Sequence, residues 1–195
     1  MRIHNVFGGW LLGAIAGLYL GAATPVTAQE AGLEGPGVFR WQGDGLRLET
    51  QALVHDQVRG FFIGRGFDEA GVNLLVNEAC LFRSAFGNLA TEPSAPHITI
   101  DQSEWRIFIG DEERQLRTRA DWQPVWDRLG VDDEQRVAFK WALFPTQQEF
   151  APTDYNWGMI TFGLAPGTRF DLEIVWREGG EKRTTRLQGM ECAKQ

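Results

Sequence analysis
The stretch FDLEIVWREGGEKRTTRLQGMEC, residues 170–192, decides the fold. Two strand-like runs, 170–176 and 182–192, flank a Glu178-Gly179-Gly180 turn, which is the pattern of a β-hairpin because glycine accepts the positive φ of a tight reversal. Working outward, LRLETQALVH at 46–55 alternates, with Leu46, Leu48, Ala52 and Val54 on one face and Arg47, Glu49, Gln51 and His55 on the other, so it reads as a half-buried strand. Residues 57–67 read as an aromatic strand whose Gly60, Gly64 and Gly66 imply bulges or close backbone approach. Val72, Leu74, Val76 and Cys80 share a face of a segment that continues through Phe82 and sends Cys80 inward. Further short strands are expected at 97–100, 104–109 and 157–164, with a charged turn at 111–114.

One helix is expected over 121–129, where Asp121 can cap, Pro124 sits in the first turn, Trp122, Trp126 and Leu129 share a face, and Gly130 ends the run. The segment 136–144 has two readings. Asp132 with Gln135 resembles a helix-capping box, but Val137, Phe139, Trp141 and Leu143 alternate with Lys140 outward, and a strand is expected. About seven short strands, one short helix and no βαβ alternation predict a mainly β chain folded as an antiparallel β-sandwich. One local motif adds to this. Leu164-Ala165-Pro166-Gly167-Thr168-Arg169-Phe170-Asp171-Leu172-Glu173-Ile174 resembles the L-x-P-G-T-x-Y-x-V-x-V corner of fibronectin type III domains, which implies an immunoglobulin-like sandwich. The family's usual tyrosine is replaced by Phe170, which has no hydroxyl to bond back to the backbone.

Residues 1–28 differ in kind from the rest. Arg2 is the early charge, 6–28 is uncharged, and Val26-Thr27-Ala28 fits the small-x-small rule for a cleaved signal peptide. The apolar stretch 6–23 is just long enough to span a bilayer, but its glycines, Pro25 and the cleavage site favour removal, with no stable membrane insertion afterwards. Cleavage leaves 195 − 28 = 167 residues: a glycine-rich flexible lead at 29–37, then a single domain at 38–195. Losing Arg2 takes the formal charge from −7 to −8, which opposes nucleic-acid binding. Cys80 and Cys192 are expected to pair, because both lie in a chain sent to the periplasm or secreted, where disulfides persist.

Recognisable catalytic patterns are few. Ser84, Ser94 and Ser103 lie outside any nucleophile elbow, and His55 and His97 are far apart in sequence, so catalysis requires a site assembled only in space. No histidine or methionine spacing suits a metal, and the acidic runs 111–113 and 132–134 lack a calcium loop's alternation; no cofactor is expected. Arg65, held between Gly64 and Gly66, is a candidate anion contact. In FAPTDYNWG, 150–158, Asp154, Tyr155 and Trp157 are candidate binding residues, against a reading in which Asp154 caps a turn and Trp157 packs inward. Of the seven tryptophans after the leader, Trp122, Trp126, Trp141 and Trp176 have core-consistent positions, leaving Trp41, Trp105 and Trp157. Arg114, Arg117 and Arg119 read as a solvated face or a docking patch. The expected function is that of a non-catalytic binding or assembly protein offering sandwich loops or an edge strand to an envelope protein. The alternatives are a carbohydrate or small-ligand module using exposed tryptophans, and a hydrolase.

Overall fold
The computed structural model describes residues 37–194, which belong to one compact unit. The expected leader, 1–28, and nearly all of the expected lead lie outside the described residues. The described chain is mainly β, with two antiparallel sheets packed face to face as a sandwich. The first sheet has the order β1-β2-β3-β8, from β1 (Phe39–Gly43), β2 (Leu46–Ala52), β3 (Leu81–Asn88) and β8 (Tyr155–Thr161). Its first hairpin closes at Asp44-Gly45, where both residues have positive φ, 42° and 75°. That geometry matches the twist of the flanking strands, and Asp-Gly adopts it readily.

The second sheet is built on β9 (Arg169–Glu178) and β10 (Glu181–Glu191), the hairpin expected from the opening stretch. The other long side of β9 is shared by β4 (Ile98–Asp101) and β5 (Arg106–Ile109), two halves of one line interrupted by a 3-10 turn at Gln102–Glu104. Trp105 fills the interruption: it is fully buried, and its indole N–H donates to the Val175 carbonyl at 2.9 Å. Outside these run β6 (Glu112–Arg114) on β5 and β7 (Gln147–Phe150) on β4. The inner faces of both sheets meet in one core that includes Leu46, Leu48, Phe82, Phe86, Ile98, Ile160, Phe170, Leu172, Ile174 and Trp176.

The described residues hold four α-helices where one was expected: α1 (His55–Ile63), α2 (Glu69–Glu78), α3 (Gln123–Leu129) and α4 (Asp133–Ala142). Three stretches expected as strands are therefore corrected. Residues 57–67 are mostly α1 and its closing turn, because Val58 and Phe62 bury one face at i, i+4. Within 72–82, Val72 and Leu75 bury the face of α2, Asp68 caps it by accepting from the Gly71 N–H at 2.8 Å, and β3 begins only at Leu81. In 136–144 the capping signal prevails: Asp132 accepts from the Gln135 N–H at 2.9 Å, and Phe139 is the buried residue of α4.

These helices pack on the outer face of the first sheet. Leu53, Leu81 and Met159 from that face join Phe62, Val72, Trp122, Trp126 and Phe139 in a second core, and Trp122 donates its indole N–H to Thr161 at 2.9 Å. Trp122 and Trp126 stack at 5.1 Å between ring centroids, with the Phe139 ring edge-on to both. Cys80, between α2 and β3, is disulfide-bonded to Cys192 beyond β10, as expected, so the bond ties the first sheet and its helices to the second. No helix among the described residues is long and apolar enough to cross a membrane.

Two stability outcomes follow. The bond closes a loop of sequence separation 112, so replacing both cysteines by serine is expected to lower unfolding free energy by ~4–5 kcal/mol in equilibrium urea titrations. Gly158 faces the Phe144 backbone so closely that an added Cβ would lie 2.7 Å from its Cα and N. Gly158→Ala is therefore expected to cost about 2–3 kcal/mol by the same assay, the overpacking exceeding the entropy gained.

Candidate functional site
The expected binding residues 154–157 lie where the chain leaves β7 and enters β8. Phe150, fully buried, anchors the start of this connection. Asp154 accepts from the Ala151 N–H through its carboxylate at 3.1 Å, while its carbonyl accepts from Asn88 at 2.9 Å and Thr153 donates to Ala90 at 2.9 Å. Its carboxylate thus locks a turn against the end of β3.

Beyond the turn, strand alternation decides what faces water. Tyr155 and Trp157 project from the outer face of the first sheet, 66% and 74% exposed, opposite Gly87 and Ala85 of β3. Neighbours without bulk leave both rings standing free of cross-strand cover. Trp157 therefore does not pack inward. Asn156 takes the inner side, donating to Gln148 at 3.0 Å and accepting from the Trp157 N–H at 2.8 Å.

The end of α4 reaches the same rim. Leu143, just past the helix, forms a parallel bridge with Met159, and the Phe144 N–H donates to the Met159 carbonyl at 2.7 Å. The chain then tucks beneath Gly158 into the sandwich core. Trp141 and Trp157 each stand two residues before a bridged residue, on the two segments that the bridge joins. Trp141 is 81% exposed and Val137, one turn earlier, 52%. Trp141 is thus a correction to the expected core set: in a helix it points about 200° from Phe139, at 3.6 residues per turn, and only Phe139 meets the core. Trp122, Trp126 and Trp176 are buried as expected, and Trp105 joins them.

Arg65 is not part of this rim. It follows α1, lies 3.3 Å above the Phe61 ring centroid and donates to the Phe61 carbonyl at 3.0 Å. The basic run is not a uniformly solvated face either. Arg114 pairs with Glu112, but Arg117 lies over the Trp122 ring and Arg119 donates to the Leu143 carbonyl. Ser84, Ser103 and His97 are engaged elsewhere. Ser84 shares a buried hydrogen bond with Thr50, Ser103 donates to Asp101, and His97 pairs with Glu149 at 2.6 Å. Among the described residues no cluster of three or more histidine, cysteine or acidic side chains could hold a metal ion.

The outer face of the second sheet holds a cleft of roughly 370 Å³ lined by Thr99, Asp101, Glu104, Gln147, Glu149 and Arg177. Its charges are matched internally. Arg177 grips Glu104 with two hydrogen bonds, at 2.8 and 3.2 Å, and Lys182 lies 3.7 Å away. The Arg177 hydrogen bond holds the Glu104 carboxyl below its ordinary range. At Asp101, partial burial works upward but is outweighed by hydrogen bonds from Ser103 and Gln147, and the carboxyl is also lowered. Both groups are carboxylates at neutral pH.

No known protein family, curated protein or solved structure matches the chain, and the site's geometry stands by itself. For the charged cleft that geometry fixes a pH response. A folded pKa below the unfolded value contributes stability that is present above the unfolded value, 4.5 for glutamate, and is lost as pH falls through the folded one. Arg177→Met is therefore expected to lower the urea midpoint above about pH 4.5, with the difference from wild type shrinking as pH falls below it.

Proposed function
We propose that the protein is an exported, non-catalytic binding protein that engages a protein partner in the cell envelope through the rim formed by Val137, Trp141, Tyr155 and Trp157. The carrying observation is the exposure of these side chains in a fold that buries Trp105, Trp122, Trp126 and Trp176 almost completely. Leaving two tryptophans and a tyrosine in water forgoes several kcal/mol of burial, at roughly 1.5–3 kcal/mol per large apolar side chain, which a partner would recover. Tryptophan and tyrosine dominate the energetics of protein interfaces because each offers a large rigid contact at small entropic cost.

A saccharide is less well served. Stacked sugar rings need polar groups around the aromatic platform, and those that flank Tyr155 and Trp157 in sequence are engaged. Asp154 is bound by Ala151, and Asn156 by Gln148 and by Trp157 itself. Aliphatic Val137 likewise suits a protein surface better than a sugar.

The test is a quantitative capture from cross-linked envelope extract with tagged wild type and three variants. Trp157→Ala and Trp141→Ala are expected to weaken retention of a stoichiometric partner by about thirtyfold, a loss of ~2 kcal/mol, while Arg177→Met on the opposite sheet retains it. Equal retention by all four proteins sinks the reading. A shift of tryptophan emission on titration with oligosaccharides, abolished by Trp157→Ala, would transfer the rim to a glycan.

A further inference from the structure
Arg119 lies between β6 and the 3-10 turn Ala120–Trp122 that leads into α3, yet its guanidinium crosses to the far end of α4. There its Nη2 donates to the carbonyl of Leu143, the residue at which α4 stops. The next peptide N–H, of Phe144, is bonded to Met159 in β8. Arg119, the exit of α4 and the edge of β8 therefore meet at one junction, with Trp141 two residues away on one arm and Trp157 two residues away on the other.

The chemistry of the contact is demanding. A guanidinium is always charged, and this one is partly withdrawn from water, with its Nε lacking a hydrogen-bond partner among the described residues. A cation at the carbonyl end of a helix is favourable, and a charged donor makes a strong, directional bond. Lys140 already places a cation in the last turn of α4, so charge at this helix end does not by itself require Arg119. What Arg119 adds is a fixed direction, from a separate segment, at the point where the chain turns past β8.

We infer that Arg119 is a positioning residue for the proposed binding rim, holding the exit of α4 against β8 so that Trp141 and Trp157 keep one mutual arrangement. This rests on the binding reading above only for its purpose, since the positioning can be measured without a partner.

The experiment is fluorine NMR of full-length protein labelled with 5-fluorotryptophan, with the rim signals assigned through Trp141→Phe and Trp157→Phe. In Arg119→Ala both rim signals are expected to move, while those of Trp105 and Trp176 in the sandwich core stay in place. Arg119→Lys, which keeps the charge, is expected to bring them partly back, and partner retention should follow in the same order. A residue that merely stabilised the fold would lower the urea midpoint and leave the rim signals where they were, and that result overturns the inference. If Arg119→Ala does not fold, Arg119→Gln and Arg119→Lys carry the test: displacement of the same two signals supports the inference and unmoved signals overturn it. Failure here leaves the binding reading intact, whereas retention unaffected by Trp157→Ala defeats that reading and leaves the positioning result untouched.

Discussion

The first sheet carries a hydrophobic core on each face, and the rest of the architecture follows from that. Its inner side chains, such as Leu48, Phe86 and Ile160, close the sandwich against β4, β5 and β9. On the outer side, Leu53, Leu81 and Met159 are apolar at one end only, and the helices gather over that end. Their aromatic residues, Phe62, Phe67, Trp122, Trp126 and Phe139, interlock edge to face and stacked. Along β8 the covered stretch gives way, within two residues, from Met159 to Trp157. The rim is therefore the boundary of the helical layer, where the same strand face passes from packed to open.

The two outer faces make opposite use of polar chemistry. On the second sheet, Arg177 with Glu104, Arg186 with Glu173 and Arg106 with Glu113 form ion pairs in a water-facing ladder. Such pairs contribute little individually, but they leave few groups seeking a partner. Around β8, Asp154 lies inside the turn and Asn156 under the sheet, and what projects outward is aromatic. A surface of this kind, if it met a partner, would gain by excluding water rather than by matching charges.

Much of the sheet framework was legible in the sequence. The hairpin around Gly179-Gly180, the alternation from Leu46 and the helix ending at Gly130 all rest on short-range patterns with a single reading. The helices α1, α2 and α4 were not legible because each is short and buries only one to three residues, so odd-and-even alternation competes with a helical stripe over so few positions. For α2 and α4 the deciding signals are the caps, Asp68 and Asp132, which are local and were available, whereas α1 begins at Val54 without a side-chain cap. At the rim, Tyr155 and Trp157 were singled out from crowding of aromatic and polar groups, but Trp141 was lost with α4. Once that segment is a helix, Phe139 and Trp141 cannot both face the core. Asp154 and Arg65 satisfy local demands that no sequence pattern distinguishes from ligand contacts: an open N–H at Ala151, and the ring and carbonyl of Phe61.

The bond between Cys80 and Cys192 also bears on the order in which the molecule can assemble. The two sulfurs are separated by 112 positions, and β3 waits for β8, some seventy residues later, to pair its second edge. The α1–α2 pair, by contrast, is complete within residues 55–78. A chain delivered from its amino end thus presents a local helical hairpin early, whereas the sheet that it packs against closes late. Cys192 is among the last residues to arrive, so the covalent link waits for a nearly complete chain, and long-range pairing of this kind slows folding. Until β8 arrives, Phe82 and Phe86 have no strand beside them on that edge, so the period before closure is when the chain is most open to unwanted association.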